Sequence, residues 1–148
     1  MSLKTQILDD VKNAMRAQEK ERLGVLRLIT AAMKQKEVDE RIELDDEQLL
    51  GVLEKMVKQR RESLEQFDKA GREDLASKER FELEIIQSYM PEPLSEADLT
   101  ALIQSTIKQL GAGSVRDMGP VMNALRGQVQ GRADMKAVSL AVKAQLSA

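Results

Sequence analysis

The chain has 148 residues, of which 42% are hydrophobic and 32% charged, and its formal net charge is −2. This balance is typical of a soluble globular protein that has enough apolar residues to build a core. The chain contains no cysteine and no histidine, which excludes disulfides, thiol nucleophiles, Ser-His or Cys-His couples and zinc sites built from these residues, so we expect no cofactor and no metal.

Two helices are predicted in the first 40 residues, because apolar residues recur there three or four positions apart. The first helix follows Ser2, a residue type that favours N-caps. The second has so wide an apolar face that we expect it to lie at the centre of its domain. The apolar stripes consist of Leu3, Ile7, Val11 and Met15 in the first helix, and of Leu23, Val25, Leu26, Leu28, Ile29, Ala32 and Met33 in the second.

Two further helices are predicted before residue 91. The charged residues 35–48 should contain the turn that precedes them, and Asp45 with Gln48 resembles a capping box. A long third helix then runs to about Ala70 and ends at Gly71, because glycine readily adopts the left-handed conformation that follows many helices. The fourth helix is stopped by Pro91, which lacks an amide hydrogen.

Pro91 and Pro93 mark the clearest boundary in the chain, since two prolines stiffen a short extended segment. Three shorter helices are predicted after it: one capped by Ser95, one with Pro120 in its first turn and one that begins near Asp134. The sequence therefore predicts an all-α protein, with a four-helix body over residues 1–90, a hinge at 91–93 and a three-helix domain at 94–148.

The segment Gly131-Arg132-Ala133-Asp134 lies just before the last helix and permits two interpretations. Gly131 can adopt a turn conformation that other residues avoid, and Asp134 can cap the helix through the amides of Lys136 or Ala137. The segment could be a capped turn with an exposed arginine. It could also be a corner that binds an anion, because Arg132 would stand beside the positive end of a helix.

The C-terminal region is mildly basic, with six Lys or Arg against two Asp or Glu from Leu99 onward. Such a bias points to a polyanionic partner, although exposed charges also serve solubility. Lys136 and Lys143 are seven residues apart and share a helix face, which Arg132 extends. We therefore predict a nucleic-acid-binding set of Arg132, Lys136, Lys143, Arg126 and Lys108, with Gly131 and Asp134 as the structural corner.

No catalytic residue is predicted. The glycine-rich residues 111–120 lack the Gly-Lys-Ser/Thr ending of a phosphate-binding loop, and the clusters of carboxylates are explained by capping and solvation. No apolar run approaches the roughly 20 residues of a membrane span, and the charged N-terminus carries no signal-peptide core. We expect a cytoplasmic location and no membrane partner.

With these segments placed, the chain resembles a stand-alone member of the GatB/YqeY family. Residues 22–79 resemble its helical body, "SYMPEPLSEADLTALI" its hinge and "DMGPVMNALRGQVQGRAD" its C-terminal signature. Met135 departs from the glycine or proline that is frequent in the family, which makes the start of the last helix less sharply specified. Pro120 stands where a basic residue is common, which removes one phosphate contact.

The resemblance implies an all-helical body followed by a small three-helix domain like the tail of one component of the glutamine-dependent tRNA amidotransferase. That tail is taken to hold tRNA through its shape, so the first hypothesis is a tRNA-binding or structured-RNA-binding module without catalytic domains. The second is a helical domain that docks on a translation-related enzyme. The third is the carbon–nitrogen ligase activity with glutamine as amide donor that the family implies, although we expect no autonomous activity from this chain.

Overall fold

A computed structural model describes residues 2–147 of the chain. These residues form seven α-helices and one short 3₁₀ helix, with no strand among them, which confirms the prediction of an all-α protein. The chain divides into two compact units, the first ending at Met90 and the second beginning at Pro91. Met1 and Ala148, the outermost residues of the predicted domains, lie outside the described residues.

The N-terminal unit consists of four helices: α1 (Leu3–Arg16), α2 (Lys20–Glu40), α3 (Asp46–Lys69) and α4 (Glu73–Gln87). The Ser2 hydroxyl caps α1 by accepting a hydrogen bond from the Thr5 amide at 3.1 Å. The predicted capping box of α3 is confirmed. The Asp45 carboxylate accepts from the Gln48 amide at 2.8 Å, and the Gln48 side chain accepts from the Asp45 amide at 3.0 Å.

The core of this unit lies between the four helices, and α2 contacts each of the other three. The prediction of a wide buried face on α2 is wrong at one edge, because Leu28 is 44% exposed. Met15 of α1 is also exposed, whereas its neighbour Ala14 is fully buried. Successive helical residues are rotated by about 100°, so a one-residue error in the centre of a stripe moves a side chain from the core to the surface.

Among the polar contacts that join the elements of this unit, two involve largely buried side chains. The Tyr89 hydroxyl donates to the Asp10 carboxylate at 2.5 Å, and burial, followed by this hydrogen bond, raises the pKa of Tyr89 above its usual range. On the α3–α4 pair, Arg60 Nε lies 3.4 Å from Glu82 Oε2, and the two side chains are only 16% and 10% exposed. This second contact is an ion pair that is largely removed from water.

The C-terminal unit contains α5 (Glu96–Leu110), a 3₁₀ helix (Val115–Asp117), α6 (Met118–Val129) and α7 (Met135–Leu146). The Ser95 hydroxyl caps α5 by accepting from the Asp98 amide at 3.0 Å. Gly111 ends this helix with φ +64°, a conformation that glycine adopts without strain. The fully buried residues of the small core are Ile103, Val121, Leu125, Val129, Val138 and Val142.

Two leucines of these helices do not join this core. Leu110 is 49% exposed in the last turn of α5, and Leu140 is 62% exposed on α7. The buried side of α7 contains Val138 and Val142, and Leu140, two residues from each, points to the opposite side of the helix. None of the helices described in either unit is long and apolar enough to cross a membrane.

Candidate nucleic-acid interface

The corner between α6 and α7 is a tight, hydrogen-bonded turn. Gly131 has φ +74°, which is the left-handed region where a side chain is strained. The carbonyl of Val129 accepts from the amides of Arg132 at 2.9 Å and Ala133 at 3.1 Å. The Asp134 carboxylate then accepts from the Lys136 amide at 3.3 Å and caps α7. These bonds reverse the chain direction and set the first turn of α7.

Arg132 has a structural role that the sequence did not reveal. Its Nε donates to the carbonyl of Glu92 at 2.9 Å, and its own carbonyl accepts from the Leu94 amide at 2.9 Å. These two bonds tie the segment before α5 to the α6–α7 corner. A guanidinium has five N–H donors. Of the five on Arg132, only the one on Nε has a hydrogen-bond partner among residues 2–147. The terminal nitrogens are the part of this side chain that an anion can contact.

The other four residues of the predicted set are exposed. Arg126 lies in the last turn of α6, Lys136 in the first turn of α7, Lys143 in its last turn and Lys108 in the last turn of α5. Within the described part of the chain, none of the four forms an ion pair. The ten ion pairs among residues 2–147 all lie in the N-terminal unit.

Three members of the set gather at the corner, because Arg126 and Lys136 belong to the two helical turns that the corner joins and Arg132 lies within it. Lys143 is seven residues beyond Lys136 on the same helix face, a distance of about 10 Å along the axis. Lys108 does not belong to this group. The corner is tied to the segment before α5, whereas Lys108 lies at the other end of that helix.

One further cation of this unit, Arg116, is absent from the predicted set. It is exposed in the 3₁₀ helix, which contacts both α6 and α7. It also forms no ion pair with any residue between 2 and 147. In the sequence, the glycine-rich loop around Arg116 is considered only as a nucleotide-binding loop. The charge of Arg116 was therefore not counted among the phosphate contacts. The loop folds back on the Asp117 carboxylate, which accepts from the amides of Gly113 and Ser114.

The arrangement can hold phosphates through cationic side chains, but it has no means of stacking bases. Phe67, Phe81 and Tyr89 are the aromatic residues of the chain, and all three belong to the N-terminal unit. Recognition of splayed single-stranded bases uses aromatic platforms, whereas folded RNA is recognised through its shape, phosphates and 2′-hydroxyls. The side chains present therefore suit the backbone of a folded nucleic acid.

Comparison with known proteins gives one family and several relatives. The family model described as "Yqey-like protein" matches residues 4–146. The relatives are named "Altered inheritance of mitochondria protein 41, mitochondrial". The one from Pyrenophora tritici-repentis is 32% identical over 126 residues, which is 84% of this chain and 69% of the relative. The one from Eremothecium gossypii is 43% identical over 82 residues, 55% of this chain and 45% of the relative.

A third relative of the same name, from Lachancea thermotolerans, is 35% identical over 104 residues, covering 68% of this chain and 56% of the relative. The chain thus spans between about half and two thirds of the length of these relatives. Their names contradict the expectation of a cytoplasmic location, because all three are named as mitochondrial proteins. That expectation rested on the charged N-terminal residues, whose pattern does not distinguish one compartment from another.

Proposed function

This chain is a member of the Yqey-like protein family, and we propose that its C-terminal unit binds structured RNA, with tRNA as the ligand. The contacts are made by Arg126, Lys136 and Lys143 and by the terminal nitrogens of Arg132. The resemblance to the tail of the tRNA amidotransferase motivates the choice of tRNA among folded RNAs. The proposal assigns recognition to this unit and no chemical step.

One observation carries the proposal, and it is the positive charge of the C-terminal unit: from Leu99 onward six Lys or Arg stand against two Asp or Glu, and none of the six forms an ion pair among residues 2–147. In the N-terminal unit, carboxylates outnumber cations, and they pair with some of them, such as Lys4, Arg22 and Arg80. The exposed cations of the C-terminal unit have no such partner among residues 2–147. Cations that no carboxylate neutralises retain their full attraction for phosphates, and RNA binding releases the counterions that phosphates hold.

The geometry of the corner supports contacts with a folded backbone more than with a single phosphate. Arg126, Arg132 and Lys136 lie within the corner or in the helical turns beside it, and Lys143 adds a fourth cation about 10 Å farther along α7. Contacts to phosphates position a protein on its nucleic acid without reading its sequence. We therefore expect binding that depends on the fold of the RNA and little on its base sequence.

The test is a titration of the full chain with tRNA at salt concentrations between about 50 and 200 mM. Four phosphate contacts should give a slope of log affinity against log salt of about −3, since each contact contributes about 0.7 to 0.9. An unstructured poly-U strand of equal length should bind more weakly, because the unit has no aromatic side chain for its bases. Failure to bind tRNA at the lowest salt, or a preference for poly-U, would overturn the proposal and leave protein docking as the better account.

A further inference from the structure

The outward face of α2 carries an exposed row of five residues, four of which are small or apolar. Gly24, Leu28, Ala31, Gln35 and Val38 follow each other at spacings of four and three residues, and all five are exposed. Leu28 is 44% and Val38 64% exposed, among the largest values for apolar residues in the chain. Alternating steps of four and three are the spacing of a helix–helix seam in a coiled coil. We call these five residues the α2 seam.

The seam is distinct from the face that α2 uses inside its own unit. The buried residues of α2 are Val25, Leu26, Ile29 and Met33, and they face the other three helices. The seam lies on the opposite side, where no described residue of the N-terminal unit covers it. Of the wide apolar face that the sequence predicts for α2, only Leu28 belongs to the seam.

A row of cations runs beside the seam. Lys20, Arg27 and Lys34 are seven residues apart, so they share one flank of the helix at intervals of about 10 Å. Arg27 and Lys34 directly precede the seam residues Leu28 and Gln35. They therefore occupy positions that flank a coiled-coil seam and select its partner by charge. All three cations are exposed, and none has a carboxylate partner within the described residues.

We propose that the α2 seam docks an amphipathic helix of a partner protein, and that this helix presents an apolar stripe flanked by Asp or Glu. The apolar positions supply the buried area. The cation row supplies the charge selection, because a carboxylate opposite each cation is favoured and a second cation is repelled. Gly24 and Ala31 leave room for the backbone of the partner helix to approach closely.

Three other occupants fit the surface less well. A second copy in antiparallel orientation would place the cation row against itself. A parallel copy would set Lys34 against Asp39, but Arg27 against Ala32, which bears no charge. A membrane is favoured by bulky side chains such as Trp, Phe and Leu on an amphipathic helix, and this seam has one leucine. The phosphates of RNA would gain no favourable contact with the exposed apolar residues of the seam.

The experiment uses two synthetic helical peptides of about four heptads, both with Leu at the seam positions. One peptide carries Glu at the flanking positions and the other carries Lys. The full-length chain should bind the Glu peptide about tenfold or more tightly than the Lys peptide, measured by fluorescence anisotropy. Equal binding of both peptides, or preference for the Lys peptide, would show that the cation row does not select the partner.

Two variants locate the binding on α2. Leu28→Glu with Val38→Glu should weaken binding of the Glu peptide about tenfold or more. Leu110→Glu with Leu140→Glu, a matched double change at exposed leucines of the C-terminal unit, should leave it unchanged. The triple variant Lys20→Glu, Arg27→Glu and Lys34→Glu should invert the preference, so that the Lys peptide binds more tightly than the Glu peptide. Circular dichroism checks that each variant is folded.

Binding of the three other candidate occupants is tested with the same variants. Anionic lipid vesicles that bind the parent and not the Leu28→Glu/Val38→Glu variant would overturn the proposal in favour of a membrane. Self-association of the parent that this variant abolishes would overturn it in favour of a second copy, and loss of tRNA binding would do so in favour of RNA. The proposal concerns the N-terminal unit, so it stands or falls separately from RNA binding by the C-terminal unit.

Discussion

Replacing Arg126, Lys136 and Lys143 together with Gln is expected to weaken tRNA binding about a hundredfold at 50 mM salt. The slope of log affinity against log salt should also become shallower by about 2 to 3, because three phosphate contacts are lost. All three side chains are exposed and belong to no ion pair among residues 2–147, so the fold should be unaffected. The measurement is a filter-binding or anisotropy titration with the full-length chain.

Arg132 is left intact in this variant because its side chain holds Glu92 and its removal would also disturb the corner. The matched control replaces Lys12, Lys55 and Lys58 with Gln, which removes the same charge from exposed positions of the N-terminal unit. The control should retain the slope of the parent. Equal losses in the two variants would show that net charge, and not the corner, controls binding.

The second large effect is expected at the buried ion pair of the N-terminal unit. Arg60→Met should lower the free energy of unfolding by about 3 to 5 kcal/mol, because it leaves the Glu82 carboxylate buried without its cation. Arg60→Met combined with Glu82→Leu should restore most of this loss, since well-packed apolar residues often replace a buried ion pair without cost. Urea unfolding followed by circular dichroism at pH 7 measures both.

The geometry of the pair leads us to expect that the intact pair stabilises the protein only weakly. Arg60 Nε is buried and makes no hydrogen bond with residues 2–147. Desolvation, and then the neighbouring Glu82 charge, raises the pKa of Glu79, which also lies beside Arg60. Arg60 opposes this rise, so its removal would also take a neighbouring cation away from the Glu79 carboxylate.

An exposed arginine provides the comparison for this prediction. Arg80 pairs with Asp68 at 2.8 Å and Glu73 at 2.7 Å, but its side chain is 46% exposed. Exposed ion pairs contribute about 0 to 1 kcal/mol, so Arg80→Met should change stability by no more than that. If Arg60→Met costs no more than Arg80→Met, the Arg60–Glu82 pair is effectively solvated and its description as a buried pair is wrong.

The features that the sequence could predict are those set by residues close together along the chain. Ser2 caps α1, and Asp45 with Gln48 forms the capping box of α3. These bonds span three residues, so the local pattern contains all the necessary information. The helices themselves follow from the apolar period, which is why the all-α class was predictable.

The features that escaped prediction depend on residues far apart in the chain. The bond from Arg132 to Glu92 spans 40 residues, and the Arg60–Glu82 pair joins two helices. No local pattern shows which side of an amphipathic helix is covered when apolar residues occupy most of its surface. For this reason the exposed Leu28 of α2 was assigned to the apolar face of its helix. In the candidate site, the sequence identified the cations but not the structural bond that Arg132 makes.

The central claim, that the C-terminal unit binds tRNA through the α6–α7 corner, is tested most directly by NMR. Unlabelled tRNA is added to the ¹⁵N-labelled full-length chain at low salt, and the perturbed amide signals are assigned. We expect the perturbations to concentrate at Arg126, residues 131–136 and Lys143, and to reverse when salt is added. Perturbations concentrated on α2 or on the α3–α4 pair, or none in the C-terminal unit, would contradict the claim.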